Sequence, residues 1–224
     1  MQVELLYHTP EPERAVATAA RLCYAPVGAS ELMETLTEEK IHSVLKQVIS
    51  SGHHSTLEHA SYTFAVDGIS RACSHQLVRH RLASFNQQSQ RYVTFKDEPD
   101  FVLPQSVVDA GAAEEFDEAV KAAFAAYAKL VKAGVPAEDA RYLLPNACET
   151  KITITMNIRE LMHFFSLRCC NRAQWEIREM ACRMLELARP TAPYIFKDAG
   201  PGCVRGACPE GNMCCGKPWE KVVR

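Results

Sequence analysis

From Thr150 to Ile158 the chain alternates between polar and apolar side chains almost without interruption. Ile152, Ile154, Met156 and Ile158 share one parity, and Lys151, Thr153, Thr155 and Asn157 share the other. Successive side chains of a strand point to opposite faces, so this segment is expected to be a strand with one face in a core and one polar face carrying Asn157. A chain committed to such a strand needs partners for its sheet and elements to cover its apolar face. The rest of the sequence supplies few strands and many helices.

Val3 to Tyr7 reads as a first strand. Tyr62, Phe64 and Val66 alternate with Thr63 and Ala65 in another, and Phe101 to Leu103 is a short candidate before Pro104. Helices are expected over Glu11–Cys23, from Thr37 to about Gly52, from Ser70 to about Val78, and over Ala113–Ala133. Ile41, Val44, Leu45, Val48 and Ile49 give the second an apolar stripe, with Glu38 and Glu39 suited to its first turn. Gly134 ends the longest helix, and Pro136 opens a short one carrying Arg141. Two helices follow the alternating strand, Arg159–Cys169 and Ala173–Arg189. The fold class expected is α+β, a single domain with a mostly antiparallel sheet covered by helices. Residues 1–198 form that domain, and residues 199–224 a Cys/Gly/Pro-rich tail.

The chain is nearly neutral, with a formal charge of -2, yet positive charge is concentrated in one place. No acidic residue occurs from Gly68 to Lys96, which leaves Arg71, Arg79, Arg81, Arg91 and Lys96 uncompensated in that window. Arg79 to Tyr92 mixes guanidinium groups with hydroxyls and amides, and lysine is absent between Ser70 and Val93. Fork-shaped donors beside serines and amides suit phosphate or carboxylate oxygens; a solvated basic loop is the plainer reading.

Three further segments carry chemistry. Gly52 to His59 places histidines beside Glu58, without the HExxH spacing that puts two zinc ligands on one helical face. Asn157 to Arg168 sets Arg159 and His163 on one helix face, while Arg168, five residues on, points away from it. Gly134 to Pro145 reads as a short helix between prolines. In the tail, Cys203, Cys208, Cys214 and Cys215 stand among glycines and prolines that build no core. A structural zinc, a redox-active pair and a strap packed on its own or a neighbouring subunit are the alternatives there, the strap being favoured over a spacing foreign to standard zinc sites.

The run Arg79, His80, Arg81, Ser84, Asn86, Ser89, Arg91, Tyr92 follows the pattern RHRxxSxNxxSxRY at every specified position. It resembles the signature of the flavin-dependent thymidylate synthases, and the resemblance extends from about Gly52 to Glu179. It implies an enzyme making dTMP from dUMP by reductive methylation. FAD is the implied cofactor, with 5,10-methylenetetrahydrofolate as carbon donor, reduced flavin as hydride donor and NADPH as reductant. A homotetramer with shared active sites is also implied. For dUMP the resemblance implies Gln76, Arg79, Gln87, Gln88, Ser89, Arg91, Arg141 and Arg168, with Arg168 in the catalytic role. For FAD it implies His53, Ser55, Glu58, Arg79, His80, Arg81, Leu82, Asn86, Gln87, Asn157, Arg159 and His163. No metal is expected.

Other classes fare worse. There is no G-x-G-x-x-G to bind a dinucleotide in the Rossmann manner, and no P-loop. The acidic balance and the lack of aromatics spaced among the arginines disfavour nucleic acid as a partner. No apolar run suits a membrane span, and Met1 to Tyr7 lacks the features of an export signal, so a cytoplasmic home with reduced thiols is expected. Ser89 is expected to hydrogen-bond the nucleotide rather than attack it, since no activating base is evident beside it.

Overall fold

A computed structural model describes residues 1–95 and 100–219. Lys96 of the basic window and the last residues of the tail therefore lie outside the described residues. Four strands, β1 (Gln2–His8), β2 (Ser61–Ser70), β3 (Ala83–Gln87) and β4 (Glu149–Asn157), make one antiparallel sheet in the order β1-β2-β4-β3. The helices are α1 (Pro12–Leu22), α2 (Ala29–Thr35), α3 (Glu38–Ser51), α4 (Arg71–Leu77), α5 (Gln105–Asp109), α6 (Ala113–Lys132), α7 (Ala137–Ala140), α8 (Ile158–Arg168) and α9 (Trp175–Ala188). The α+β reading holds, and the strand that most constrained it is found at β4. Thr150, Ile152, Ile154 and Met156 are buried, and the intervening residues are partly or fully exposed.

The differences from the sequence expectation are local. The centre of the basic motif is β3 and not a loop. Ala83 and Phe85 alternate with Ser84 and Asn86, and burial follows that alternation, but a single large apolar side chain in five residues is too weak a signal to announce a strand; Gln87 Nε2 donates to Thr150 Oγ1 of β4 at 3.2 Å. Phe101 forms only an isolated bridge to Cys148, so the strand expected before Pro104 is not formed. The short helices α2 and α5 were not expected, having too few turns to display a stripe.

The chain divides into two compact units. The first comprises residues 1–2, 66–79 and 85–153. Its core gathers Val120, Phe124 and Cys148, with Phe95, Phe101, Phe116 and Leu144 packed against them. The second comprises residues 3–65, 80–84 and 154–224. There Tyr62, Phe64, Phe164, Phe165 and Phe196 are all fully buried, with ring centroids 5.6 to 6.4 Å apart between neighbours. Burial of such rings is the main stabilising contribution available to the unit.

Local signals set the helix ends. Thr37 caps α3 by accepting from Lys40 N at 3.3 Å, and Gly52 closes it with φ 74°. The tail is held as a strap on its own chain: Asn171 Nδ2 donates to the Lys217 carbonyl at 3.1 Å, and Arg172 Nη1 to that of Met213 at 2.7 Å. Trp219 N donates to Cys203 Sγ at 3.4 Å, and a Cβ on Gly202 would lie 2.6 Å from Pro209.

Candidate active site

In the first unit α4 begins at Ser70, whose hydroxyl accepts from Cys73 N at 3.0 Å, and ends in a turn where Arg79 N donates to the Gln76 carbonyl at 3.3 Å. Arg79 leaves that turn exposed to solvent. Beyond β3, Gln88 N donates to the Lys151 carbonyl at 2.9 Å, and Ser89 Oγ accepts from Arg91 N at 3.2 Å. This last bond shapes the turn and does nothing to activate the hydroxyl as a nucleophile.

Arg91 is not uncompensated, as the local sequence suggested. Its Nη2 and Nε lie 3.0 and 3.1 Å from Glu138 Oε2, and Arg141 Nε donates to the Glu138 backbone carbonyl at 3.1 Å. One residue of α7 thus gathers two of the expected nucleotide-binding arginines. Glu138 was not singled out from sequence, because its partner lies 47 positions away. Both members of the ion pair are about half exposed, so the pair contributes at most about 1 kcal/mol and yields readily to a competing anion.

The second unit holds the remainder. β4 passes directly into α8. Asn157 Oδ1 caps the helix by accepting from Glu160 N at 2.9 Å, and Ile158 N donates to the Ala60 carbonyl at 2.9 Å. The segment from His54 to His59 is a 3-10 turn whose Glu58 forms an ion pair with Arg159 of α8. His53 and Ser55 open instead onto a cavity of about 250 Å³ also lined by Arg21, Tyr24 and Lys40. Arg21 and Lys40 lie outside the expected set; they sit on α1 and α3, whose sequences carry no motif that marks a ligand.

The most ordered chemistry lies at His80, which is 5% exposed. Its Nδ1 is 3.0 Å from Glu160 Oε1, and Arg168 Nε donates to its Nε2 at 3.0 Å. A guanidinium only donates, so Nε2 carries no proton, and the neutral ring carries its proton on Nδ1, donating to Glu160. Phe164 meets the ring edge-on at 4.9 Å and His163 at 5.9 Å. Arg168 therefore curls back toward the group that His163 also meets, whereas helical spacing alone pointed it away. Its long side chain overrides the Cα direction. Arg81 and Leu82, next in the motif, are exposed, Leu82 at 71%.

Burial pushes the His80 imidazole below its ordinary pKa of 6.5; the hydrogen bond to Glu160 pulls it up, and Arg168 pushes it down. As pH falls through 6.5 the unfolded chain takes up a proton that the folded ring resists. Stability is accordingly expected to decline from about pH 6.5 down through the depressed folded-state value, where the loss is complete. Urea midpoints across this range should fall more steeply for the wild type than for His80→Asn.

Among the described residues no group of three or more His, Cys, Asp or Glu side chains is arranged to hold a metal ion. No helix among them is long and apolar enough to cross a membrane. The sequence from residue 4 to 194 matches the family model described as thymidylate synthase complementing protein. The chain is 60% identical over 222 residues to the flavin-dependent thymidylate synthase of Geobacter sulfurreducens, covering 98% of this chain and 96% of that one. It is 48% identical to the enzyme of the same name from Clostridium tetani, covering 98% and 95%. For that of Pyrococcus furiosus the identity is 42%, covering 100% and 98%.

Proposed function

The chain belongs to the flavin-dependent thymidylate synthase family and is an enzyme of that kind; from this premise we propose the substrates, cofactor and residue roles that follow. The reaction is reductive methylation of dUMP to dTMP. 5,10-Methylenetetrahydrofolate gives the carbon, FAD is the cofactor and NADPH its reductant. The observation that carries the reading is the bond from Arg168 of α8 to His80 of the signature, residues 88 positions apart that the fold joins.

The donor set fits the cofactor. A dinucleotide held without a glycine-rich turn needs cations for its phosphates and exposed polar groups for the rest. Arg21, Lys40, His53 and Ser55 line one cavity, while Arg159, His163 and Arg81 are exposed in the same unit. His53, Ser55, Glu58, Arg81, Leu82, Asn157, Arg159 and His163 would hold FAD, with Arg79, Asn86 and Gln87 contributing. Both ring nitrogens of His80 are engaged within the protein, so its share in FAD binding is assigned to its backbone. When bound and reduced, the flavin would supply the hydride.

The protein's own work is binding and electrostatics. Arg79, Arg91 and Arg141 take the nucleotide phosphate, with Ser89, Gln76, Gln87 and Gln88 donating to its oxygens. Phosphate displaces Glu138 from Arg91, exchanging a weak exposed pair for a doubly charged ligand. Arg168 stabilises negative charge developing on the pyrimidine carbonyl, and its bond to His80 fixes its orientation before substrate arrives.

A homotetramer with shared sites accords with the exposure of Tyr24 at 80%, Leu82 at 71%, Tyr92 at 82% and Tyr142 at 84%, side chains that interfaces favour.

Purified protein should be yellow, bleach with NADPH or dithionite, recolour in air, and convert dUMP to dTMP when methylenetetrahydrofolate is present. A colourless protein unable to take up FAD would overturn the reading. Arg79→Lys and Arg91→Lys should each raise the KM for dUMP by roughly tenfold or more, because a point charge does not replace a fork. Steady-state kinetics with an unchanged KM in both would remove these arginines from the site.

A further inference from the structure

We propose that Glu160 is a positioning residue for the reaction, setting the tautomer of His80 and through it the orientation of Arg168. The proposal rests on the reading of Arg168 as the group that meets the pyrimidine. Glu160 is the third residue of α8 and 4% exposed. A carboxylate there ordinarily turns back to the N–H of the capping residue. Here its backbone N–H is satisfied by Asn157 Oδ1, and its Oε1 lies 3.0 Å from His80 Nδ1.

A buried carboxylate needs a partner that favours its ionised form, and the imidazole N–H is such a partner. Once the single ring proton is committed to Nδ1, the Nε2 lone pair accepts from Arg168 Nε at 3.0 Å. The other tautomer would set an imidazole N–H against a guanidinium N–H and drive the arginine off. A carboxylate at the start of α8 thus orients a guanidinium at the end of the same helix, using the imidazole as intermediary. Phe164, edge-on to the ring at 4.9 Å and fully buried, keeps the imidazole from turning. This use of a carboxylate to choose a histidine tautomer follows the logic that orients imidazoles elsewhere in catalysis.

Two measurements on the full-length flavin-loaded enzyme test the proposal. Long-range 1H–15N spectra of histidine-labelled wild type should show His80 with a protonated Nδ1 and an unprotonated Nε2. In kinetics, Glu160→Gln should retain its flavin and lower kcat roughly tenfold to a hundredfold, in the range of a lost hydrogen bond to a charged group. The double variant Glu160→Gln/Arg168→Lys should be no slower than Arg168→Lys alone, since both changes then act on one group. An Nε2–H tautomer in the active wild type overturns the proposal, as do fully additive losses in the double variant. If Glu160→Gln does not fold, the wild-type tautomer decides alone. A wild type that binds flavin yet turns over no dUMP would overturn the functional reading and the proposal with it; the wrong tautomer in an active enzyme overturns the proposal only.

Discussion

Arg168→Ala is expected to lower kcat by about 100- to 1,000-fold, the effect of removing one preorganised donor from a charge-developing centre. The guanidinium is held partly buried at the end of α8, with Nε donating to His80 at 3.0 Å, so its reorganisation is completed during folding and not during turnover. A donor fixed in this way acts on the transition state more than on the ground state, and the loss should fall mainly on kcat. The flavin should remain, because the expected FAD contacts lie on other side chains. Arg168→Lys should fall between, keeping the charge while losing the planar N–H that meets Nε2. Removing the arginine also strips a buried acceptor of its donor, at about 1–3 kcal/mol of stability. Stopped-flow bleaching, steady-state turnover and urea unfolding separate the two losses; an alanine variant with wild-type kcat would remove Arg168 from the chemistry.

Phe164→Ala is the change expected to cost most in stability, about 3–5 kcal/mol. The ring is fully buried and packs against Phe165 at 5.9 Å and His80 at 4.9 Å. Its loss leaves a cavity in the aromatic core of the second unit and unseats the imidazole in the same step. The denaturation midpoint should fall while the slope of the transition stays near the wild-type value. Phe164→Leu should recover a good part of the loss, since it refills most of the volume. A midpoint shift corresponding to less than about 1 kcal/mol would show that the site relaxes around the deletion.

Elements whose period repeats were legible in the sequence. β4 alternates as Ile152, Ile154 and Met156 required, and α3 buries Ile41, Leu45 and Val48 of its stripe, leaving Val44 half-buried and Ile49 at the exposed edge. β3 was harder to read, because its alternation covers five residues with Phe85 as the one large apolar side chain, and the partner strand that holds it extended is a non-local fact. Within the site the residue types were legible and their partners were not. Arg91 appeared uncompensated because Glu138 is distant in sequence, and Arg168 was aimed by its Cα direction when its reach decides where it binds. Glu160 drew no notice because a glutamate in the first turn of a helix is unremarkable there. Its burial beside His80 is what distinguishes it, and burial is settled by the fold.

The seam at Asn157 has a consequence for how this protein tolerates changes of length. One residue ends β4 and caps α8, and the next is already anchored to Ala60, so no connector separates them. A residue inserted at the seam would swing every later position of α8 by about 100° and advance it by about 1.5 Å. Arg159 would leave Glu58, and Arg168 would leave His80, although each side chain was still present. The seam works as an index mark, transmitting strand register into helix azimuth without slack. Insertions belong where the chain has room, such as the exposed loop around Gly111, and a length change at Asn157 should be as disabling as deleting the arginine it aims.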